Sequence, residues 1–234
     1  MENRENTLIS HLEALRSALL KCLAVTGVLY PVGYLVSPRV ISGLVRWCFP
    51  EGMELHYFSP MEVFWVRLKL ALVLALAAAY PWNIRQIWGF VLPALYPGER
   101  RALGRWIVLS SVLFFAGGAF CVAAILPLLM DFSGSFATPE LTPVIGLRNF
   151  LDLAGWLTLS FGVMFQSPLA VMLAVRFDLV SVDALAKKRP YAVTAILVLA
   201  AVLTPPDVLS QLLLALPTYL LFELGLLLAR RYGK

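Results

Sequence analysis

Long runs of apolar side chains recur along this 234-residue chain, near or above the roughly 20 residues a helix needs to cross a roughly 30 Å hydrocarbon slab. They constrain the fold more than any other feature. A backbone in lipid has no water to bond to, so only helices or sealed barrels, which close their own hydrogen bonds, persist there. The runs are continuous rather than alternating and rich in Leu and Ala, good helix formers, which excludes a barrel of strands. With 60% hydrophobic and 14% charged residues and a mean hydropathy of +0.82, no water-soluble core of this size buries so much apolar surface. The expected fold class is all-α, a polytopic membrane protein forming one integral domain over residues 1–234.

Six transmembrane helices are expected, from about Ala18 to Val36, Val66 to Pro81, Trp106 to Met130, Leu153 to Val175, Tyr191 to Leu203 and Val208 to Phe222. The last two are short, with apolar cores of only roughly 20 to 22 Å at about 1.5 Å per residue. Glu2, Arg4 and Glu5 precede a polar helix start with no small-residue cleavage site after it, so the first helix is expected to remain in the mature protein. Six spans put both ends on one side. On that side lie fourteen of the nineteen Lys and Arg residues, leaving Arg39, Arg46, Arg67, Lys69 and Arg148 opposite. Positive charge is retained in the cytoplasm during insertion, so both termini are predicted to be cytoplasmic. The net charge of +5 is thereby explained without nucleic acid.

The opposite loops are substantial. Ser37 to Trp65 carries Pro38, Pro50, Gly52 and Pro60, then MEVFWV, whose aromatic residues suit a short helix at the interface. Asp131 to Asp152 is expected to be rich in turns, and the two loops together to form an ordered cap. Cys22, Cys48 and Cys121 are scattered without CxxC spacing, and His11 and His56 fall on opposite sides, so neither a disulfide framework nor a metal site is expected. HExxH, GxSxG and glycine-rich phosphate loops are absent, so the chain is read as a non-enzyme without cofactors. No internal repeat marks a secondary transporter.

Five motifs punctuate the apolar runs: HLEALR from His11, SPMEVF from Ser59, FVLPALYPGER from Phe90, FGVMFQSPL from Phe161 and LTPPDVLSQ from Leu203. In this order, each at a membrane boundary, they resemble the TatC family, the multispanning subunit of the twin-arginine (Sec-independent) protein translocase. The resemblance implies a concave, glove-like bundle in a bacterial-type inner membrane. It implies a receptor that binds the twin-arginine signal peptide of folded cargo at its cytoplasmic face. It also implies single-span TatA and TatB partners, self-association within the receptor complex, and transport driven by the proton-motive force.

Two guanidinium groups need acceptors, and carboxylates offer bidentate geometry. Glu13 and Glu99 are the candidates, both on the predicted cytoplasmic side, and the resemblance implies that both bind signal peptide. Leu12, Arg16, Leu95, Tyr96 and Arg100 lie beside them as candidate walls of the site. A blander reading stands beside this one: Glu13 pairs with Arg16 at i,i+3 spacing, and Glu99 offsets Arg100 and Arg101 in a solvated loop.

Inside the membrane, Gln166 needs a hydrogen-bonding partner. Many family members carry Glu there. Gln166 and Pro168 are candidates for contact with a partner's transmembrane helix, against the alternative that Pro168 frees a backbone carbonyl and Gln166 bonds within its own bundle. Glu223 is expected to pair with Lys187, Lys188 or Arg189. In TPPD, Pro205 and Pro206 end the fifth helix and Asp207 caps the sixth, forming a hairpin tip. The short hairpin is expected to thin the bilayer beside it. A small-solute transporter or channel is the alternative function, although little beyond Gln166 offers a polar path at the midplane.

Overall fold

The computed structural model describes residues 2–49, 55–95, 100–136, 138, 144–204 and 207–232, with the side chains of 2–11, 91–95, 100–103 and 232 outside the description. Among the described residues it is mainly helical, with one two-residue strand pairing, a bridge residue at Thr138 and short turns between helices. The described helices are α1 (Glu2–Cys48), α2 (Pro60–Leu95), α3 (Arg100–Phe120), α4 (Leu126–Gly134), α5 (Leu147–Met164), α6 (Ser167–Arg176), α7 (Val182–Lys187), α8 (Arg189–Leu203) and α9 (Val208–Tyr232). Among the described residues five stretches are long and apolar enough to cross a membrane, namely Leu12–Cys48, Pro60–Phe90, Gly104–Gly134, Leu147–Arg176 and Val208–Arg231, and Arg189–Leu203 is a shorter apolar helix.

Several helices exceed their expected bounds, for local physical reasons. The first does not stop near Val36 but runs through Pro31 and Pro38 to Cys48. Pro38 has no N–H for the Tyr34 carbonyl. That carbonyl instead accepts from the Ser37 hydroxyl at 2.8 Å and from the Arg67 guanidinium of α2 at 3.5 Å. Arg67 also donates to Ser37 Oγ at 3.3 Å and lies 4.4 Å from the Tyr34 ring centre. MEVFWV is not a separate interfacial helix but the opening turns of α2. Pro60 at its first position and Ser59 before it favour a helix start there. Glu62 reaches back in the manner of a capping box to accept from the Phe58 N–H at 2.8 Å.

Between α3 and α4 the helix widens into one π turn, Cys121–Ile125, where Leu126 N–H bonds to the Cys121 carbonyl. Pro127 directly follows and cannot bond to Ala123 in the ordinary way. The fourth span breaks at Phe165–Gln166, just ahead of Pro168. The sixth helix is not short: α9 has 25 residues and passes both Pro217 and Glu223. Glu223 does not end it because Arg189 clasps the carboxylate at 2.7 and 2.9 Å and Tyr219 donates to it at 2.9 Å.

Of the expected cap the described residues include one contact between the two loops, with 50–54, 137 and 139–143 outside the description and Asp131–Gly134 forming helix rather than turns. Leu55 and His56 pair in parallel with Ile145 and Gly146. Glu62 also accepts from the Arg148 N–H at 3.0 Å, fastening the start of α2 to α5. We call this the cap end, and the opposite end, where α2 meets α3 and α7 precedes α8, the terminal end. The core between them is built on Phe150, Leu157, Phe161, Leu126 and Leu214, all nearly inaccessible. α1 lies along α2, α5 along α2 and α3, and α6 mainly along α9. Glycine permits two of these approaches. A Cβ on Gly33 would stand 2.6 Å from the Ala71 carbonyl oxygen, and one on Gly225 would stand 2.8 Å from Pro168 Cα.

Candidate functional site

Helices α1 and α2 are antiparallel neighbours, with Gly33 against Ala71 and Thr26 near Asn83. That register carries Glu13 level with the last turns of α2. At this terminal end the two helices leave a cleft of about 280 Å³, walled by Ala14, Ser17, Ala18 and Lys21 on one side and Gln86, Gly89 and Phe90 on the other. Glu13 is exposed and stands on the adjoining helix face, beside the cleft rather than in its wall. Leu12, 65% exposed, and exposed Arg16 share that region. Among the described residues Glu13 and Arg16 make no ion pair with each other.

Glu99 and Tyr96 lie outside the described residues, as do Pro205 and Pro206. Leu95 is the last helical residue of α2 and Arg100 the first of α3, so the backbone brings both to the same end as Glu13, while their side chains lie outside the description.

Gln166 sits at the break in the fourth span, half-buried. Its Oε1 accepts from the Ser110 hydroxyl at 2.7 Å, and its Nε2 donates to the Ser110 carbonyl at 3.1 Å and the Gly162 carbonyl at 3.3 Å. Ser110 is fully buried and also bonds Tyr80 Oη at 3.1 Å, and the Tyr80 ring stacks on Phe114 at 3.7 Å. Both amide N–H groups are thus used within the bundle. Pro168 is buried, with Gly225 of α9 against its backbone.

The α8–α9 hairpin tip is set deep. Ser160 donates to the Leu203 carbonyl at 2.8 Å. Ser160 lies thirteen residues below the start of α5, about 20 Å at 1.5 Å per residue. Asp207 Oδ1 accepts from the Ser210 N–H at 2.6 Å, the bond of a helix cap. Above this tip, α2 and α5 leave a groove of about 770 Å³ with Lys69 and Asp152 near its mouth and Thr204 and Asp207 at its floor. Among the described residues no three His, Cys, Asp or Glu side chains gather as a metal site.

Sequence reasoning missed the partners more than the sites. The Ser59-x-x-Glu62 spacing could have revealed the start of α2, and the proline four residues after Tyr34 could have flagged a carbonyl in need of a donor. Nothing in the spacing of Ser110 and Tyr80 pointed to Gln166.

The family model described as Sec-independent protein translocase protein (TatC) matches residues 10–217. The chain belongs to the TatC family. Sec-independent protein translocase protein TatC of Haemophilus influenzae is 36% identical over 228 residues, covering 96% of this chain and 89% of that protein. Its counterpart in Escherichia coli K12 is 34% identical over 233 residues, covering 96% and 88%. A crystal structure of a twin arginine translocase receptor, TatC, superposes with a TM-score of 0.84 at 26% identity, covering 96% of this chain and 100% of that one. TatC membership makes the chain a translocase subunit of the bacterial inner membrane rather than an enzyme or a small-solute channel.

Proposed function

We propose that the chain is the receptor of its translocase, binding the twin-arginine signal peptide of folded cargo at the terminal end and working with TatA- and TatB-type partners. In this reading the chain has six spans with both termini in the cytoplasm, and Glu99 and Glu13 accept the paired guanidinium groups. The observation that carries it is the α1–α2 register. It brings a solvent-facing carboxylate with no ion pair among the described residues beside a cleft, at the end where α2 gives way to the segment holding Glu99. The Lys/Arg asymmetry of the loops supports the orientation. Since Glu13 adjoins the cleft instead of lining it, Glu99 is assigned the larger share. Gln166 and Pro168 meet a partner's helix here only if the Ser110 bonds are exchanged for intermolecular ones.

Photocrosslinking in membranes tests the receptor reading. Capture of an Arg-Arg signal peptide but not its Lys-Lys counterpart is expected, abolished by Glu99→Ala and reduced less by Glu13→Ala. Equal capture of both peptides would reject it. The deep hairpin tip further supports local thinning of the bilayer as an aid to passage of folded cargo, since exposed Asp207 requires hydration far below the cap. Extending α8 and α9 by one turn each should then slow transport while leaving peptide capture intact, and unimpaired transport would count against thinning.

A further inference from the structure

We propose that the groove between α2 and α5, at the cap end, is a binding site for one phospholipid, with its phosphate held at Arg148 and Lys69 and an acyl chain lying along the groove. The side walls are apolar, formed by Leu72, Leu76, Leu153 and Leu159 with Trp156, half of whose surface is exposed, while Thr204 and Asp207 form a polar floor at which the acyl chain must stop. From Asn149 to Leu159 the groove follows α5 for about 15 Å, the depth of one leaflet of a roughly 30 Å hydrocarbon core. Its volume is about 770 Å³. A methylene chain lying in this open groove covers its apolar walls.

Charge at the mouth selects the headgroup. Lys69 Nζ contacts Asp152 at 2.6 Å, and Arg148 approaches the same carboxylate at 3.8 Å, too far for a hydrogen bond. Asp152 is therefore shared by two cations whose side chains are 51% and 63% exposed, with Glu62 as a second carboxylate near Arg148. Among the described residues the Arg148 guanidinium donates no hydrogen bond, and only its backbone N–H is used, by Glu62. The Arg148 guanidinium, held only at 3.8 Å by Asp152 and with Glu62 nearby, is a planar fork of donors that matches a phosphodiester in bidentate fashion. Beside Arg148 a smaller cleft of about 340 Å³ is lined by Phe58, Met61 and Trp65. These side chains are mostly exposed, and aromatic residues of this kind settle at headgroup level.

Native mass spectrometry of the full chain released from nanodiscs provides the test and needs no transport activity. Separate discs carry phosphatidylglycerol, phosphatidylethanolamine, or either lipid doped with diacylglycerol, which has the chains but no phosphate. One retained phospholipid per chain is expected from either lipid, with diacylglycerol retained at least tenfold less. Arg148→Gln, which keeps the backbone contact to Glu62, should lower retention about tenfold, the scale of one charged hydrogen bond. Leu76→Trp, which fills the groove without touching its charges, should abolish retention, while Val112→Trp on the exposed face of α3 should not. Diacylglycerol retained as well as phospholipid, equal retention in Arg148→Gln and wild type, or equal effects of the two Trp substitutions would each overturn the assignment.

Discussion

Two prolines interrupt hydrogen bonding in two spans, and the outcomes differ. At Pro38 the helix continues, because the freed Tyr34 carbonyl is taken by Ser37 one turn away and by Arg67 of α2. At Pro168 the helix breaks. The Gln166 N–H turns from Gly162 to the Val163 carbonyl at 3.0 Å, and the Gln166 side chain covers the Gly162 carbonyl and crosses to Ser110. The missing N–H is the same in both. What differs is the carbonyl that is answered: at Pro38 side chains take up the Tyr34 carbonyl that the proline itself leaves, whereas at Pro168 the proline leaves the Met164 carbonyl and Gln166 covers the Gly162 carbonyl that its own shifted N–H has left. The break also divides the fourth span between two packing partners, α5 lying against α2 and α3 and α6 mainly against α9.

Removing the stitch at the Pro168 break should have the largest effect. Gln166→Leu leaves the Ser110 hydroxyl, the Ser110 carbonyl and the Gly162 carbonyl without these partners. With interhelical bonds in membranes worth roughly 0.6 to 1.7 kcal/mol, a loss of about 2–3 kcal/mol is expected in unfolding from detergent micelles. A loss below 0.5 kcal/mol would show that the break holds without the amide. Next in size is Arg67→Ala, which removes two long hydrogen bonds and a ring contact from the Pro38 region, with an expected cost of about 1–2 kcal/mol. Its distinguishing readout is hydrogen exchange, which should rise around Tyr34 and Ser37 and stay unchanged around Gln166.

The same comparison explains what could be read from the sequence. Runs such as Leu147–Arg176 and Gly104–Gly134 declare themselves by composition alone, since a continuous apolar stretch has few alternatives in lipid. Helix ends were harder, because prolines and charges stop a helix only when their consequences go unanswered. Glu223 suggested an end to the sixth helix, and Arg189 with Tyr219 removed the reason for one. Ser37 and Pro38 suggested a loop, and Arg67, thirty residues away, removed that reason too. The carboxylates at the terminal end were legible as residue types on a predicted side of the membrane. Their facing was not: Glu13 differs from Ala14 by one helical step, and that step decides which residue lines the cleft.

The smallest effect should come from Ser37→Ala. The hydroxyl lies 2.8 Å from the Tyr34 carbonyl and is fully buried, yet Arg67 remains as a second donor to the same oxygen. A cost of about 0.5–1 kcal/mol is expected for one neutral hydrogen bond whose acceptor keeps another partner. The double variant Ser37→Ala, Arg67→Ala leaves the carbonyl bare beside Pro38, so it should cost more than the two single changes added together. Thermal unfolding of all four proteins in one detergent gives that interaction energy directly. A clear excess would show that the carbonyl's shared satisfaction keeps the helix going past Pro38. Strict additivity would mean that packing of Gly33 on Ala71 carries the helix past its proline, and that the two prolines differ through backbone contact rather than hydrogen bonding.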